Sequence, residues 1–595
     1  TVDGQPANAL PLDEDGRAYV VLYDPLHGED TVTLARGLPD GVHEVELVAE
    51  GGWGQWALRG WSVVRERPGW AEPRVVPALG GGVAFCLLAL AFIAWPYVER
   101  WTRGAAGRLV AWAVATAGSE AEASGLAWPT WLAWVLCGGV YFFAPWMPLG
   151  AVGLAGILPL TWIRPDLGLA LVAFGIPFFL WKKPLGGFAF SSLELLFAAV
   201  VAVLLCRGVV RFFQDLRERM QGGRHWVFAL ADVVTQGWNE VRARWKAMDT
   251  GMLLLVLAGA LSSAFAEVQG VAWHEFRVVI LESAIFYFLL RWRSRGLARA
   301  WVWRVADAWL LAGVLLSLWG LGQYFLGMDV IEAEGVRRVR ALYGSPNNLA
   351  LFLERLAPLA AAYVVWGRRD WRKACYSAAL AVCMLGLYLT FSRGAWLLAL
   401  PVAFLVLGGL GGRRGLLAAA GALAAMAVAL VPLAGTPRLQ SLLDLQGSTA
   451  FFRLQLWESA GNMVLEHPFL GVGPDNFLYL YRTRYVLPSA WQELNLSHPH
   501  NALLDFWTRT GLLGLAAFVT TVATFFHRAR NLWQRASDPD TRALAAGLLA
   551  SMAGALAHGL IDNIFFLVDL AFVYALTMAL TIWLWEKENV SACAS

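Results

Sequence analysis

From residue 75 onward the chain is a succession of apolar runs. Each is about as long as a helix needs to cross roughly 30 Å of hydrocarbon, and short polar or basic loops separate them. The runs fall at 75–98, 128–146, 148–163, 166–181, 190–213, 249–266, 271–292, 303–326, 347–366, 373–391, 394–411, 414–434, 501–526, 543–560 and 563–585. Residues 1–72 follow another rhythm. Segments 18–22, 30–34 and 43–48 alternate polar and apolar positions between Gly, Pro and Asp turns, which predicts short strands in a small β-rich domain outside the bilayer. Such a domain would serve either as a folded spacer or as a contact surface for a glycan or a partner. One polar stretch, 435–500, is far longer than the other connections. Phe452, Leu456 and Trp457 at helical spacing predict a helix over 450–465, and the run from His467 to Asn476 reads as a turn. A connection of that length in a helical bundle is functional or disordered, and its aromatic content argues against disorder.

Composition sharpens this picture. With 58% hydrophobic residues and 15% charged, the chain is no ordinary soluble protein, whose charged share is about 25%. It reads as an all-α polytopic membrane protein of about 12–15 transmembrane helices, and its 31 tryptophans suit the two interfacial belts. The domains expected are 1–72 (β-rich, external), 75–213 and 249–434 (transmembrane), 214–248 (cytoplasmic, basic), 435–500 (external loop), 501–585 (transmembrane) and 586–595 (tail). Six scattered cysteines lack the spacing of a zinc site or a disulfide framework. The chain begins at Thr1 rather than Met, which leaves room for an upstream signal or anchor.

Basic residues set the orientation. Arg291, Arg293, Arg295, Arg299 and Arg304 border one loop, and Arg368, Arg369, Arg372 and Lys373 another. Arg413 and Arg414 border a third, and Arg528, Arg530, Arg535 and Arg542 a fourth, all on one side if the runs alternate. That side is expected to be the cytoplasm, which puts the amino terminus and the 435–500 loop outside and the carboxyl terminus inside. The basic, aromatic stretch 207–246 fits an inner-leaflet interfacial helix better than a nucleic-acid surface, so no nucleic acid is expected among the partners.

The residues that can carry chemistry gather on the external side. Pro499 keeps His498 out of a helix, and Asn501 is placed to cap a helix from Ala502, leaving His500 one residue outside the helix start. Pro499 should also point the two histidines in different directions. Unpaired N–H groups at a helix start favour an anion, and a neutral imidazole facing an anion is what a general base needs. Arg393 sits between two runs at the external mouth, and Arg453 on the predicted loop helix. An arginine near the hydrocarbon boundary is costly unless it pairs, snorkels to lipid phosphate or binds an anionic ligand. Two guanidinium forks match a pyrophosphate. The external carboxylates Asp329, Glu332, Glu334, Asp444, Glu458, Glu466, Asp475 and Glu493 include no pair suited to a divalent ion, so neither metal nor cofactor is expected.

These residues resemble a known family. His500-Asn501, nine residues, Gly511 and then Gly514 looks like the signature of the O-antigen ligase family. So do Ser392-Arg393-Gly394, Arg453 ahead of Trp457, His467-Pro468-Phe469-Leu470-Gly471-Val472-Gly473 and Gly344-Ser345-Pro346-Asn347-Asn348. The resemblance covers roughly residues 340–515. It implies a GT-C-like bundle and an inverting, metal-independent glycosyltransferase of the cytoplasmic membrane. The donor would be a polyprenyl-pyrophosphate-linked glycan and the acceptor a hydroxyl on a lipid, a growing glycan or a protein. It further implies Arg393 and Arg453 on the pyrophosphate and His500 on the acceptor hydroxyl, with Asn347, Asn348, Glu458, His498 and Asn501 as further candidates. A polysaccharide polymerase or a protein-glycosylating ligase would use the same three residues. A carrier of lipid-linked glycans could use the arginines, but a carrier needs a site open alternately to both sides, and the polar residues here collect at one face.

Overall fold

The computed structural model describes residues 1–13, 15–20, 32–39, 41–48 and 128–594, the last without 145, 186–187, 222–224, 294–299, 334, 432–447 and 492. The helices, in chain order, are α1 (Trp128–Phe143), α2 (Met147–Ile163), α3 (Pro165–Gly175), α4 (Ser192–Gln221), α5 (Trp226–Arg244), α6 (Ala247–Ala264), α7 (Gln269–Glu275) and α8 (Glu282–Arg293). They continue with α9 (Ala300–Leu326), α10 (Pro346–Trp366), α11 (Trp371–Leu389), α12 (Leu400–Leu410), α13 (Gly412–Leu430), α14 (Ser448–Glu466), α15 (Phe477–Leu480), α16 (Ala502–Arg535), α17 (Pro539–His558) and α18 (Val568–Ala594). Two short antiparallel hairpins, Lys182–Leu185 with Phe188–Ser191 and Ile331–Ala333 with Val336–Arg338, close turns between helices.

Among the described residues seven helices are long and apolar enough to cross a membrane, and four shorter apolar helices accompany them. The protein is a helical, polytopic membrane protein. Every apolar run read from the sequence overlaps a helix except 75–98, which lies outside the described residues. In the amino-terminal segment the described residues form isolated bridges, Val2 with Gln5 and Val45 and Leu12 with Ala18; the remainder of 1–72 lies outside them.

Burial grades the bundle. The apolar window of α18 is 94% buried and that of α10 78%, whereas that of α13 is only 11% buried. α18 is thus the central post, and α13 presents its apolar surface outward, where lipid would cover it. α10 packs along α17, and α6 along α16.

The ends of α16 define the two poles. Its 34 residues run from one pole to the other, with a break at Gly511. At the far pole Arg535 donates to Asn589, Arg291 forks onto Glu586 and Arg368 pairs with Asp538. At the near pole lie the 448–500 segment and the start of α16. Tyr19 of the amino-terminal segment also lies at the near pole: burial raises the pKa of its phenol, and Glu267, Arg482 and Arg484 act on it.

Candidate active site

Four segments meet at the near pole: the start of α16, the turn between α17 and α18, α14, and the turn entering α12. The first is shaped by two backbone devices. His500 adopts a left-handed φ of +48°, uncommon for a residue with a Cβ, and so reverses the chain just before the helix. Asn501 then caps α16, its side-chain oxygen accepting from the N–H groups of Leu503 and Leu504, both at 3.1 Å. The capped start is stitched to the end of α17 by Ala502 N–H to the Gly559 carbonyl at 2.7 Å and Asn501 Nδ2 to the Leu560 carbonyl at 3.2 Å.

That stitch delivers Asp562, which the sequence reading missed. The Asp562 Oδ1 atom accepts from His500 Nδ1 at 3.2 Å, from His498 Nε2 at 3.4 Å and from the Asn563 N–H at 2.8 Å. The two histidines therefore converge on one oxygen, their ring centres 4.1 Å apart, instead of pointing in different directions as expected. The left-handed turn at His500 is the reason: it cancels the divergence that Pro499 alone would impose. Burial by itself would raise the Asp562 pKa, but the bonds from His498 and His500 and the nearby His558 outweigh it and hold the carboxyl well below the usual range.

The two histidines are not equivalent. With Nε2 donating to Asp562, His498 takes the Ser497 hydroxyl on Nδ1 at 3.2 Å, so both its nitrogens are engaged. Burial, then the His500 ring, lower its pKa. His500 uses Nδ1 on Asp562, and its Nε2 has no hydrogen-bond partner among the described residues. Its side chain is 26% exposed. A carboxylate on one imidazole nitrogen fixes the tautomer and leaves the other nitrogen basic.

Arg453 arrives on α14. It lies four residues before Trp457, so the two share a helix face. Trp457 Nε1 donates to the Pro499 carbonyl at 2.9 Å, fixing that face to the peptide between the two histidines. Arg453 has no carboxylate within ion-pair distance among the described residues. Burial lowers its pKa, the Asp562 charge opposes that, and the Arg393 guanidinium lowers it further. Two guanidinium groups acting on each other describe a place that an anion would relieve. Arg393 opens the helix that runs through a π-turn, Ala395–Ala399, into α12. Such wide turns are frequent at functional sites.

The remaining candidates divide. Asn347, in the first turn of α10, accepts from Arg338 Nη2 at 2.9 Å, while Arg338 Nε donates to the Thr390 carbonyl at 2.8 Å just before the Arg393 turn. Asn501 is the cap already described. Asn348 is not drawn into a hydrogen bond or ion pair with the described residues, and neither is Glu458, which stays exposed on α14.

The signature glycine Gly511 has a mechanical explanation. Its φ of +66° and ψ of −170° break α16, so the Thr508 carbonyl and the Leu512 N–H cannot bond each other. The turn 467–476 takes both: Val472 N–H bonds the Thr508 carbonyl at 2.7 Å, and Leu512 N–H bonds the Pro468 carbonyl at 2.9 Å. A Cβ on Gly511 would stand 2.0 Å from the Phe469 carbonyl oxygen. Below this break Arg509 is fully buried. It forks onto Glu275 at 2.7 Å, bonds Asp505 at 2.7 Å and donates to the Ser497 carbonyl at 3.0 Å, directly before His498.

His498, His500 and Asp562 each offer a ligand atom within 4.8 Å of the others, the one such set among the described residues. Asp562 lies in the short turn between the last two apolar runs, away from the longer loops that hold the other external carboxylates read from the sequence. That turn, with His558 four residues before Asp562, was the available signal. Asp562 Oδ1 already accepts three N–H groups, and Arg453 and Arg393 bring positive charge to the same place, where a dication would add repulsion.

Residues 378–519 match the family model described as O-antigen ligase. No curated protein matches the chain. The matched stretch holds Arg393, Arg453, the 467–476 turn, both histidines and Gly511, and leaves Glu354, His558 and Asp562 outside it. The O-antigen ligase match thus covers the stretch that builds most of the site, and it supports a glycan-transferring function at a membrane in general.

Proposed function

We propose that this protein moves a glycan from a polyprenyl-pyrophosphate carrier to an acceptor hydroxyl on the external face of the cytoplasmic membrane, by a single inverting displacement without a metal. The observation that carries the reading is the convergence of His500, with Nε2 unengaged, on Asp562, beside Arg453 and Arg393. His500 Nε2 takes the proton of the acceptor hydroxyl as its oxygen attacks the anomeric carbon. Asp562 stabilises the imidazolium that forms. The bond from the anomeric carbon to the pyrophosphate oxygen breaks, and Arg393 and Arg453 hold the charge that develops on the leaving group. Holding both substrates at one membrane depth supplies orientation.

Purified protein incubated with polyprenyl-pyrophosphate glycan and candidate acceptors, with product size as the readout, tests this. A single step of mass gain is the result expected of a ligase, and a ladder would identify a polymerase. Turnover that survives exhaustive chelation supports charge neutralisation by arginine, and loss restored by a divalent ion overturns it. Donor that crosses the bilayer with no product formed would make the protein a carrier.

A further inference from the structure

The turn that carries Asp562 is itself held from behind by a buried pair that the proposed reaction does not use. Glu354 of α10 and His558 at the end of α17 are both about 2% exposed, and Glu354 Oε2 stands 2.7 Å from His558 Nδ1. His558 Nε2 then faces Asp562 Oδ2 at 3.9 Å. The ring also abuts the Arg393 turn: a Cβ placed on Gly394 would lie 2.0 Å from His558 Nε2. Arg355, the next residue of α10, donates to the Ile564 carbonyl at 3.2 Å, so α10 grips the turn on both sides of Asp562.

Glu354 Oε1 is buried with no hydrogen-bond partner among the described residues, and a half-satisfied carboxylate inside a bundle costs stability that an apolar side chain would not. What the pair does provide is geometry. Glu354 fixes the His558 ring, and the ring stands between Asp562 Oδ2 and the backbone that presents Arg393. That arrangement turns Oδ1, and only Oδ1, toward His498 and His500.

The geometry points to Glu354 and His558 as positioning residues that aim Asp562 at His500 and set the spacing between the base and the pyrophosphate-binding Arg393. This inference rests on the transferase reading above. It predicts that the pair acts on the rate of transfer and not on donor affinity.

The test compares Glu354→Ala, Glu354→Gln, His558→Ala and His500→Ala in the full-length protein in lipid nanodiscs, with kcat normalised to folded protein and donor KM measured in parallel. Glu354→Ala and His558→Ala are expected to lower kcat roughly ten- to hundred-fold, the cost of a misplaced group, with KM within about twofold of wild type. Glu354→Gln, which keeps an acceptor oxygen at the same place, is expected to recover most of that loss. Normal kcat per folded molecule in Glu354→Ala and His558→Ala, beside a crippled His500→Ala, would overturn the positioning role while leaving the transferase reading standing. A His500→Ala protein with normal turnover would remove both.

Discussion

Two charged clusters lie on either side of Ser497-His498, and they are built differently. Around Arg509 the hydrogen bonds are short, two of 2.7 Å to Glu275, one of 2.7 Å to Asp505 and one of 3.0 Å to the Ser497 carbonyl, with Asp475 further off at 3.9 Å, the guanidinium 4.9 Å over the Phe566 ring and its side chain 2% exposed. Around Asp562 the bonds to the histidines stretch to 3.2 and 3.4 Å, the imidazoles are 20–26% exposed, and one imidazole nitrogen is left over. Charge-assisted bonds ordinarily measure about 2.7–2.9 Å. In the first cluster all three guanidinium nitrogens are engaged by the fold and the cation is closed off from solvent. The second retains capacity for a substrate. Proximity alone would treat the two as one site, and burial and bond length separate them.

The comparison can be broken at its strongest point. His500→Ala is expected to lower transfer by roughly 10²–10⁴-fold with donor binding nearly unchanged, and glutamine should not rescue it. His498→Ala should cost less, because both of its nitrogens are engaged by protein groups. Steady-state kinetics on the two variants decides which histidine is the base, and a larger loss at His498 would reverse the assignment.

Arg509→Ala should do the opposite. It leaves Glu275 and Asp505 buried without their cation, a loss of about 3–5 kcal/mol. Thermal unfolding in detergent should show a large drop in Tm and poor recovery of folded protein. A stable Arg509→Ala protein that binds donor but does not transfer it would move Arg509 from the scaffold to the chemistry.

Arg453→Ala and Arg393→Ala should each weaken use of the donor by roughly ten- to hundred-fold, the equivalent of about 1.5–3 kcal/mol for a lost charged contact. Lysine should rescue in part, because it carries the charge without the fork. Donor titrations with unchanged KM and kcat in both variants would take the pyrophosphate away from these arginines.

The smallest effect sharpens the comparison through pH. The folded site lowers the pKa of His498, so below about 6.5 the unfolded chain takes up a proton that the native site refuses, and stability falls as the medium is acidified. The Asp562 contribution is present above about 3.9 and persists until pH drops through its depressed folded value. Across a Tm series from pH 7.5 to 5, wild type should therefore lose more stability, or gain less, than His498→Gln. An identical pH dependence in the two proteins would take the acid-labile contribution away from His498.

How legible this was depended on sequence distance. The helix cap at Asn501, the loop helix of Arg453, the arginine at the mouth and the order of the apolar runs are local, and each follows from a pattern of a few residues. The glycine at 511 was visible as a motif, yet its reason, a break filled by the 467–476 turn, needed the packing. Asp562 stands 62 residues from His500, and Glu354 stands 204 from His558. Neither has a local signature beyond a polar residue at or near a helix end.

The sequence by itself determined a membrane bundle, because only helices satisfy every backbone group in lipid and the lengths of the apolar runs leave no other solution. It also determined which pole carries the arginines and histidines. Only the tertiary structure decided that two histidines share one carboxylate oxygen, that Arg393 and Arg453 act on each other, and that the buried Arg509 is scaffold. Those facts arise from side chains meeting across helices, where hydrogen-bond geometry and burial, set by packing rather than by neighbours in the chain, fix what each charge can do.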